Sequence, residues 1–380
     1  MIDMSYKILL HNIVKVRTKE IFFLIAILFF IILIFYQTSC EEKDSDRTLF
    51  GVSSYQKEGI LHESVNTIFY SNGVILELGT LKNMIGGDIE LYSDSYGNRI
   101  VVAVLDTGIY PHYELGVPNN RIIHSVDLVH GIEKPYDDNG HGTAIAGIIS
   151  SVGSETGLIK DSFIDLISVK VLDYRCKGYI NSITEGIEWV IENKDKYDIR
   201  IINLSIGVPY EGESDTIIEA VRKANENGIL VVTSAGNKKG GINIYSPAVE
   251  ESCIAVGSIY DTEPSQTHDY SIASYTNRWQ EDGKEYPLIY APGSNIETLK
   301  SNIYYKGSDQ EKREPEYCTA TGTSVSAAIV TGVAAYYMLE YPEMNVNEIR
   351  EVIFKRSLRI FDKELNLNFT YVYIGEKKYE

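Results

Sequence analysis

The chain has 380 residues, of which 44% are hydrophobic, so it can bury the core of one large domain and still carry additional segments. The formal net charge of −18 argues against a nucleic-acid-binding protein, since such a protein presents a basic face. The four cysteines contain no C-x-x-C pair and are too sparse for a disulfide framework, although a bridge between Cys176 and Cys318 is left open. Cys253 stands beside an apolar run and is predicted to be a small buried side chain.

The first predicted element is a segment at residues 21–36, in which every residue is apolar or aromatic. Extended as a helix through Ser39, it would be about 28 Å long, close to the roughly 30 Å of a bilayer core. Basic residues precede the segment and acidic residues follow it, so residues 1–40 are predicted to be a cytoplasmic tail and a membrane anchor. Cleavage before Cys40, with lipid on that cysteine, is the alternative. Both outcomes predict a membrane-tethered chain whose bulk lies outside the cytoplasm, at the cell surface.

Residues 41–95 are mixed and polar, and they are predicted to be a linker or a short pro-segment. From about Arg99 onward, strand and helix patterns alternate. This alternation predicts one domain over residues 96–358, followed by a C-terminal tail over residues 359–380. Apolar runs of the kind that form buried parallel strands predict strands at residues 100–105, 163–172, 201–204, 229–233 and 253–259.

Signals for helix starts stand between and after these strands. A capping box is predicted from Ser182 to Glu185, and Asp215 is predicted to cap the next helix. Ser324 opens a long apolar helix that ends before a proline, and Asn345 is predicted to cap the final helix. Alternation of this kind implies an α/β fold with a mainly parallel central sheet and helices on both faces. Ligand sites in such folds lie beyond the carboxyl ends of the strands.

Four groups that can take part in catalysis stand at structured positions in this pattern: a carboxylate, an imidazole, a hydroxyl and an amide. A serine hydroxyl is a weak nucleophile near neutral pH unless a base takes its proton and a third group fixes the tautomer of that base. His141, at a glycine-flanked helix start, can be the base, and Asp106, at the end of a strand, can orient it. Ser324 at a helix N-terminus benefits from the helix dipole, and Asn237 can donate a hydrogen bond to an oxyanion. The pattern therefore predicts a nucleophilic hydrolase.

These segments resemble the sequence motifs of the subtilases, the subtilisin-like serine proteases, and the order Asp, His, Ser is that of subtilisin. The resemblance covers roughly residues 96–358. It implies a subtilisin-like three-layer sandwich and a serine endopeptidase, with Asp106, His141 and Ser324 as the catalytic triad and Asn237 in the oxyanion hole. It implies no cofactor for catalysis. The matching segments are residues 104–109, His141-Gly142-Thr143, Ser234-Ala235-Gly236-Asn237 and Gly322-Thr323-Ser324.

The resemblance also implies which segments bind the substrate. One is similar to the strand on which the substrate backbone docks, a second falls where the opposing edge strand is expected, and a third lies in the oxyanion segment. The substrate-binding residues that follow are Ser205, Ile206 and Gly207; Cys176, Lys177 and Gly178; and Ala235 and Gly236.

The chain departs from the family pattern at a few positions. Val325 stands where methionine is usual, Ala328-Ile329 where Pro-His is usual, and Ala144 where a histidine is usual. None of these changes removes a catalytic atom, but loss of the proline is expected to loosen the helix start and to shift Ser324 slightly. The departures motivate one alternative, an inactive protease-like binding module. A further alternative is a dedicated protease that trims leaders or precursors.

Metal ligands are not assigned by the sequence. Asp137 and Asp138, adjacent acids in a Gly-Asn loop, are predicted to be solvated turn residues. Subtilases often hold structural calcium, but no distinct carboxylate cluster in this sequence indicates where it would bind. The predicted partners are peptide or protein substrates and, through residues 21–36, a membrane, with no nucleic acid among them.

Overall fold

A computed structural model describes residues 85 and 212 and nine ranges of the chain, which contain all the predicted site residues. The predicted membrane segment at residues 21–36, Cys40 and nearly all of residues 41–95 lie outside this description. The described ranges are residues 98–116, 119–132, 134–151, 163–210, 215–238, 245–261, 270–281, 284–305 and 317–374.

Strands and helices alternate through the described ranges, as the sequence predicts. The helices are α1 (Tyr113–Gly116), α2 (His141–Ser150), α3 (Ile180–Tyr197), α4 (Thr216–Glu226), α5 (Thr323–Glu340) and α6 (Val346–Arg356). The strands are β1 (Ile100–Asp106), β2 (Ile122–Asp127), β3 (Ile164–Lys170), β4 (Ile199–Leu204), β5 (Val208–Pro209), β6 (Leu230–Ser234), β7 (Tyr245–Ser246), β8 (Ile254–Asp261), β9 (Tyr270–Ile272), β10 (Trp279–Glu281), β11 (Lys284–Tyr286), β12 (Ile289–Pro292), β13 (Ile296–Leu299), β14 (Tyr317–Ala320), β15 (Leu358–Asp362) and β16 (Leu367–Tyr371).

The central sheet is mainly parallel and follows the order β15-β16-β12-β8-β6-β4-β1-β3-β2, with β9 added antiparallel to β8. Strand β1 lies between β3 and β4, with Asp106 opposite Lys170 and Val104 opposite Asn203. Because parallel strands end at the same edge of a sheet, the residues that follow β1, β3, β4 and β6 gather there.

Helices cover both faces of the sheet. Successive residues of a strand point to opposite faces, and those of β1 enter two different core clusters. Val102 and Val104 pack with side chains of α2, α5 and α6, whereas Ala103 and Leu105 pack with side chains of α3 and α4. The predicted three-layer α/β architecture is therefore confirmed.

The predicted helix starts are correct where a side chain caps the helix. Asp215 accepts hydrogen bonds from the backbone N–H groups of Ile217 and Ile218, and Asn345 forms a capping box with Glu348. The capping box predicted from Ser182 is wrong, because α3 already begins at Ile180. The residue before the helix is Tyr179, which makes no side-chain capping hydrogen bond.

The sheet and core extend beyond the predicted limits of the domain. Residues 358–371, mostly assigned to a C-terminal tail, form β15 and β16, and β16 pairs parallel with β12. Ile85, inside the segment predicted as a linker or pro-segment, is fully buried in the core cluster that also contains α5. Its carbonyl oxygen accepts a hydrogen bond of 2.8 Å from the backbone N–H of Ile374. Residues from both predicted flanks therefore belong to the folded domain.

Among the helices that the structure describes, none combines the length and the apolar character that a membrane crossing requires.

We expect Ile85→Ala to lower the free energy of unfolding by about 2–5 kcal/mol, because it removes buried methyl groups and leaves a cavity in the main core. Urea denaturation followed by circular dichroism measures this change. Ile123→Ala is the matched control, since Ile123 is 40% exposed and should cost much less. Equal unfolding midpoints for wild type and Ile85→Ala would show that Ile85 lies outside the core.

Candidate active site

Asp106 and His141 are in direct contact at the carboxyl edge of the sheet. The Nδ1 atom of His141 lies 2.7 Å and 2.8 Å from the two carboxylate oxygens of Asp106. Both side chains are buried, with 0% and 1% exposure respectively. Because a carboxylate accepts hydrogen bonds, Nδ1 carries the proton, and the lone pair of the neutral ring is then on Nε2. The contact therefore fixes both the orientation and the tautomer of the imidazole.

The close approach of β1 and α2 depends on a glycine. His141 is the first residue of α2, and Gly142 follows it. A Cβ atom on Gly142 would lie 2.1 Å from the carbonyl oxygen of Gly108 and 3.1 Å from Cβ of Asp106. Since 2.1 Å is too short for a non-bonded contact between heavy atoms, only glycine lets the helix start reach the end of β1.

Asp137 holds the loop that leads into α2. Its side chain is fully buried and accepts hydrogen bonds from the hydroxyls of Thr107 (2.9 Å) and Thr143 (2.6 Å). It also accepts from the backbone N–H groups of Asn139, Gly140 and Thr143. The prediction that Asp137 is a solvated turn residue is therefore wrong, and the carboxylate instead links the segment after β1 to the first turn of α2.

Lys170 is a buried cation beside this loop, with 2% exposure at the end of β3. Its Nζ atom donates to the carbonyl oxygens of Thr107 (2.7 Å) and Leu172 (2.8 Å) and lies 2.7 Å from a carboxylate oxygen of Asp138. The Asp138 side chain is only 7% exposed, so its prediction as a solvated turn residue is also wrong. Lys170 thus joins the segment after Asp106, the loop before α2 and the turn after β3.

Ser324 is the second residue of α5 and is 1% exposed. Helix α5 is buried almost throughout and packs against α2, which carries His141. The Nε2 atom of His141 is buried and makes no hydrogen bond in the described part of the chain, so a bond from the Ser324 hydroxyl to this nitrogen is not formed in this state. Catalytic hydrogen bonds are often long or poorly aligned before substrate binds.

Asn237 follows β6, and its amide is oriented by the residue before Ser324. Its Oδ1 atom accepts from the backbone N–H (2.8 Å) and the hydroxyl (2.9 Å) of Thr323. The same hydroxyl accepts from the backbone N–H of Gly236 at 3.1 Å. Because Thr323 N–H can only donate, the acceptor must be Oδ1, which leaves the Nδ2 donor of Asn237 directed elsewhere. Thr323 was missed in the sequence, although it stands in the serine motif.

The segments predicted to bind substrate lie at the same edge of the sheet. Ser205 directly follows β4, and its buried hydroxyl lies 3.3 Å from the carbonyl oxygen of Ser324. Gly207 faces Tyr245, since a Cβ atom there would lie 3.2 Å from the tyrosine ring. The remaining predicted residues are Ile206, which is buried after β4; Cys176, Lys177 and Gly178, which lie between β3 and α3; and Ala235 and Gly236, which follow β6.

The described cysteines are free, so the bridge between Cys176 and Cys318 that the sequence left open is absent. Cys253 is buried in the core, as predicted. Burial raises the pKa of the Cys253 and Cys318 thiols to about 12, and burial together with the nearby Asp106 carboxylate raises that of Cys176. These thiols are therefore protonated near neutral pH and poor nucleophiles.

Within the described ranges, no group of three or more His, Cys, Asp or Glu side chains is arranged to hold a metal ion. The buried carboxylates of Asp106, Asp137 and Asp138 are each satisfied by an imidazole, by N–H and O–H donors or by Lys170. They therefore do not fit a calcium site, and structural calcium stays a prediction without assigned ligands.

The fold and the site together define a class. An α/β protein that gathers a buried Asp–His pair, a serine at a helix N-terminus and an oriented asparagine amide at the carboxyl edge of its sheet has the arrangement of a serine hydrolase. The model of the subtilase family, Peptidase_S8, matches residues 97–373. This chain belongs to the subtilase family, as its motifs predict.

Curated proteins with similar sequences support the family assignment. Serine protease AprX of Bacillus subtilis is 37% identical over 285 residues, which cover 71% of this chain and 64% of AprX. Subtilisin DY of Bacillus licheniformis is 30% identical over 260 residues, which cover 67% of this chain and 82% of that protein. The alignment with AprX thus spans less than two thirds of the length of that relative.

Solved structures agree with the subtilisin-like fold. A cold adapted subtilisin-like serine proteinase superposes with a TM-score of 0.58 at 26% identity, covering 78% of this chain and 97% of the other. Sphericase superposes with a TM-score of 0.59 at 26% identity, covering 74% of this chain and 90% of the other.

Lys170→Met should lower the free energy of unfolding by about 3–5 kcal/mol, because it leaves the buried Asp138 carboxylate without its cation. Urea denaturation measures the loss, and Asp138→Asn added to Lys170→Met should recover part of it. Lys194→Met is the control, since the partner of Lys194, Asp195, is 99% exposed and the pair should contribute little. A loss no larger than that of the control would show that the buried ion pair of Lys170 and Asp138 contributes little to stability.

Proposed function

We propose that this chain is a serine endopeptidase that hydrolyses peptide bonds with Ser324 as nucleophile, His141 as general base and Asp106 as the residue that orients the base. The observation that carries the proposal is the buried contact of 2.7 Å between His141 Nδ1 and Asp106, which leaves Nε2 as the basic nitrogen. Membership of the subtilase family supports it.

In the proposed reaction, His141 Nε2 takes the hydroxyl proton as Ser324 Oγ forms a bond to the substrate carbonyl carbon. The resulting imidazolium is stabilised by the Asp106 carboxylate, and it returns the proton to the leaving amine as the C–N bond breaks. Water then attacks the acyl-enzyme through the same base and releases the second product. Burial of the Asp–His pair strengthens the charge interaction, since little water screens it.

The tetrahedral intermediate carries an oxyanion, which needs donors that are already in place. Two groups can supply them: the backbone N–H of Ser324 at the start of α5 and the Nδ2 atom of Asn237. The N-terminus of the long helix α5 adds its positive dipole end. Because Thr323 already fixes Oδ1 of Asn237, little reorganisation is needed when the charge develops.

Ser324→Ala should abolish both peptide hydrolysis and covalent labelling by a fluorophosphonate, since both need the Ser324 oxygen. Asn237→Ala should lower kcat about 10²–10³-fold, the range established for such a donor in subtilisin, with a smaller effect on KM. Hydrolysis of a chromogenic peptide and intact-mass spectrometry of the labelled protein measure these changes.

Circular dichroism of each variant serves as the control for folding. A folded wild-type chain that takes up no fluorophosphonate would refute the protease assignment and favour the inactive binding module. Unchanged hydrolysis by Ser324→Ala would refute the choice of nucleophile.

We also propose that residues 21–36 tether the enzyme to a membrane, with the catalytic domain at the cell surface. The apolar composition of this segment and the change from basic to acidic flanks support the proposal.

The full chain should stay with the membrane fraction after alkaline carbonate extraction. Cys40→Ser should also stay there if the apolar segment is the anchor. Release of Cys40→Ser into the soluble fraction would indicate a lipid anchor. Release of the wild-type chain would refute tethering.

A further inference from the structure

Helix α5 carries Ser324 without the proline that the family pattern places after it. Ala328 and Ile329 occupy those positions, and both are fully buried in the apolar core. The helix nevertheless begins directly at Thr323, and hydroxyl groups connect it to the strands. Ser326 Oγ donates to the last two carbonyl oxygens of β12, at 3.0 Å and 3.1 Å.

A second set of hydrogen bonds connects α5 to the end of β4. The hydroxyl of Thr331 donates to Oδ1 of Asn203 at 2.9 Å, and Nδ2 of Asn203 donates to the hydroxyl of Ser205 at 3.0 Å. The hydroxyl of Ser205 then donates to the carbonyl oxygen of Ser324 at 3.3 Å. These four residues are 0–1% exposed, so water does not compete for the bonds. We call this set the Thr331–Asn203–Ser205 relay.

The relay contacts α5 at two places on one face. Thr331 lies about two helical turns beyond Ser324, a separation that brings both residues to the same side of an α-helix. Ser205 contacts the helix at its first turn and Asn203 contacts it further along, so the relay holds the helix at two places. Ser205 belongs to the segment proposed to bind the substrate backbone, so the relay also connects that segment to the nucleophile.

We propose that Thr331 is a positioning residue for Ser324, which acts through Asn203 and Ser205 and touches no substrate atom. The inference rests on the proposed protease function for its kinetic consequence. Without the Thr331 hydroxyl, Oδ1 of Asn203 becomes a buried acceptor without that donor. The amide is then free to rotate, Ser205 loses its fixed donor, and the carbonyl of Ser324 is no longer held against β4.

Thr331→Val tests this proposal, because valine keeps the shape of threonine and replaces the hydroxyl with a methyl group. We expect kcat and the rate of fluorophosphonate labelling to fall about tenfold while KM stays within about twofold, since the Thr331 hydroxyl touches no substrate atom. Thr331→Ser, which restores the hydroxyl, should recover most of the lost rate. Ser205→Ala combined with Thr331→Val should slow labelling no more than the stronger single variant does, because both changes break one relay.

Ser357→Ala is the matched control, since Ser357 is buried and its hydroxyl donates only to a carbonyl in α6, at 2.7 Å. It should reduce stability to a similar extent without slowing the labelling. Hydrogen–deuterium exchange of residues 323–327 gives a readout that needs no turnover, and Thr331→Val should accelerate it. Unchanged exchange would overturn the proposed positioning role of Thr331, even if the protein proves inactive as a protease. Faster exchange with unchanged kcat would overturn the positioning role while leaving the protease proposal intact.

Discussion

The buried contact between Asp106 and His141 is the constraint on which the rest of the site depends. It joins the end of an interior strand of the sheet to the first residue of a helix that packs on one face of that sheet. Both groups are shielded from water, so a misplaced carboxylate or imidazole would be costly and the geometry is well defined. The glycine at position 142, the loop held by Asp137 and the cation of Lys170 all serve to bring these two residues together.

Electrostatic balance explains why so many polar groups surround this contact. Three carboxylates, those of Asp106, Asp137 and Asp138, lie in a region that is largely closed to water. Each carboxylate has a different kind of partner. An imidazole contacts Asp106, N–H and O–H groups donate to Asp137, and Lys170 forms an ion pair with Asp138. A buried carboxylate without such partners would take up a proton or destabilise the fold. The same groups therefore stabilise the domain and shape the candidate active site.

The residues after Ser324 that depart from the family pattern lie in the apolar core of the structure. Val325 and the Ala328-Ile329 pair are fully buried, so this part of α5 contributes apolar surface to the core. Helix α5 starts without a proline, and hydrogen bonds from Ser326 and Thr331 connect its N-terminal half to β12 and β4. Side-chain hydroxyls thus supply contacts on both sides of the helix that carries the proposed nucleophile.

Local patterns in the sequence determined the buried strands, the caps at Asp215 and Asn345, the α/β alternation and the positions of Asp106, His141, Asn237 and Ser324. Such features depend on neighbours within a few residues, and an apolar run or a capping side chain carries its own signal. The burial of Ile85, the pairing of β16 with β12, the Lys170–Asp138 ion pair and the relay from Thr331 were decided only by the tertiary structure. Each of them joins residues that are distant in the chain, and no local pattern distinguishes a solvated Asp137 or Asp138 from a buried one.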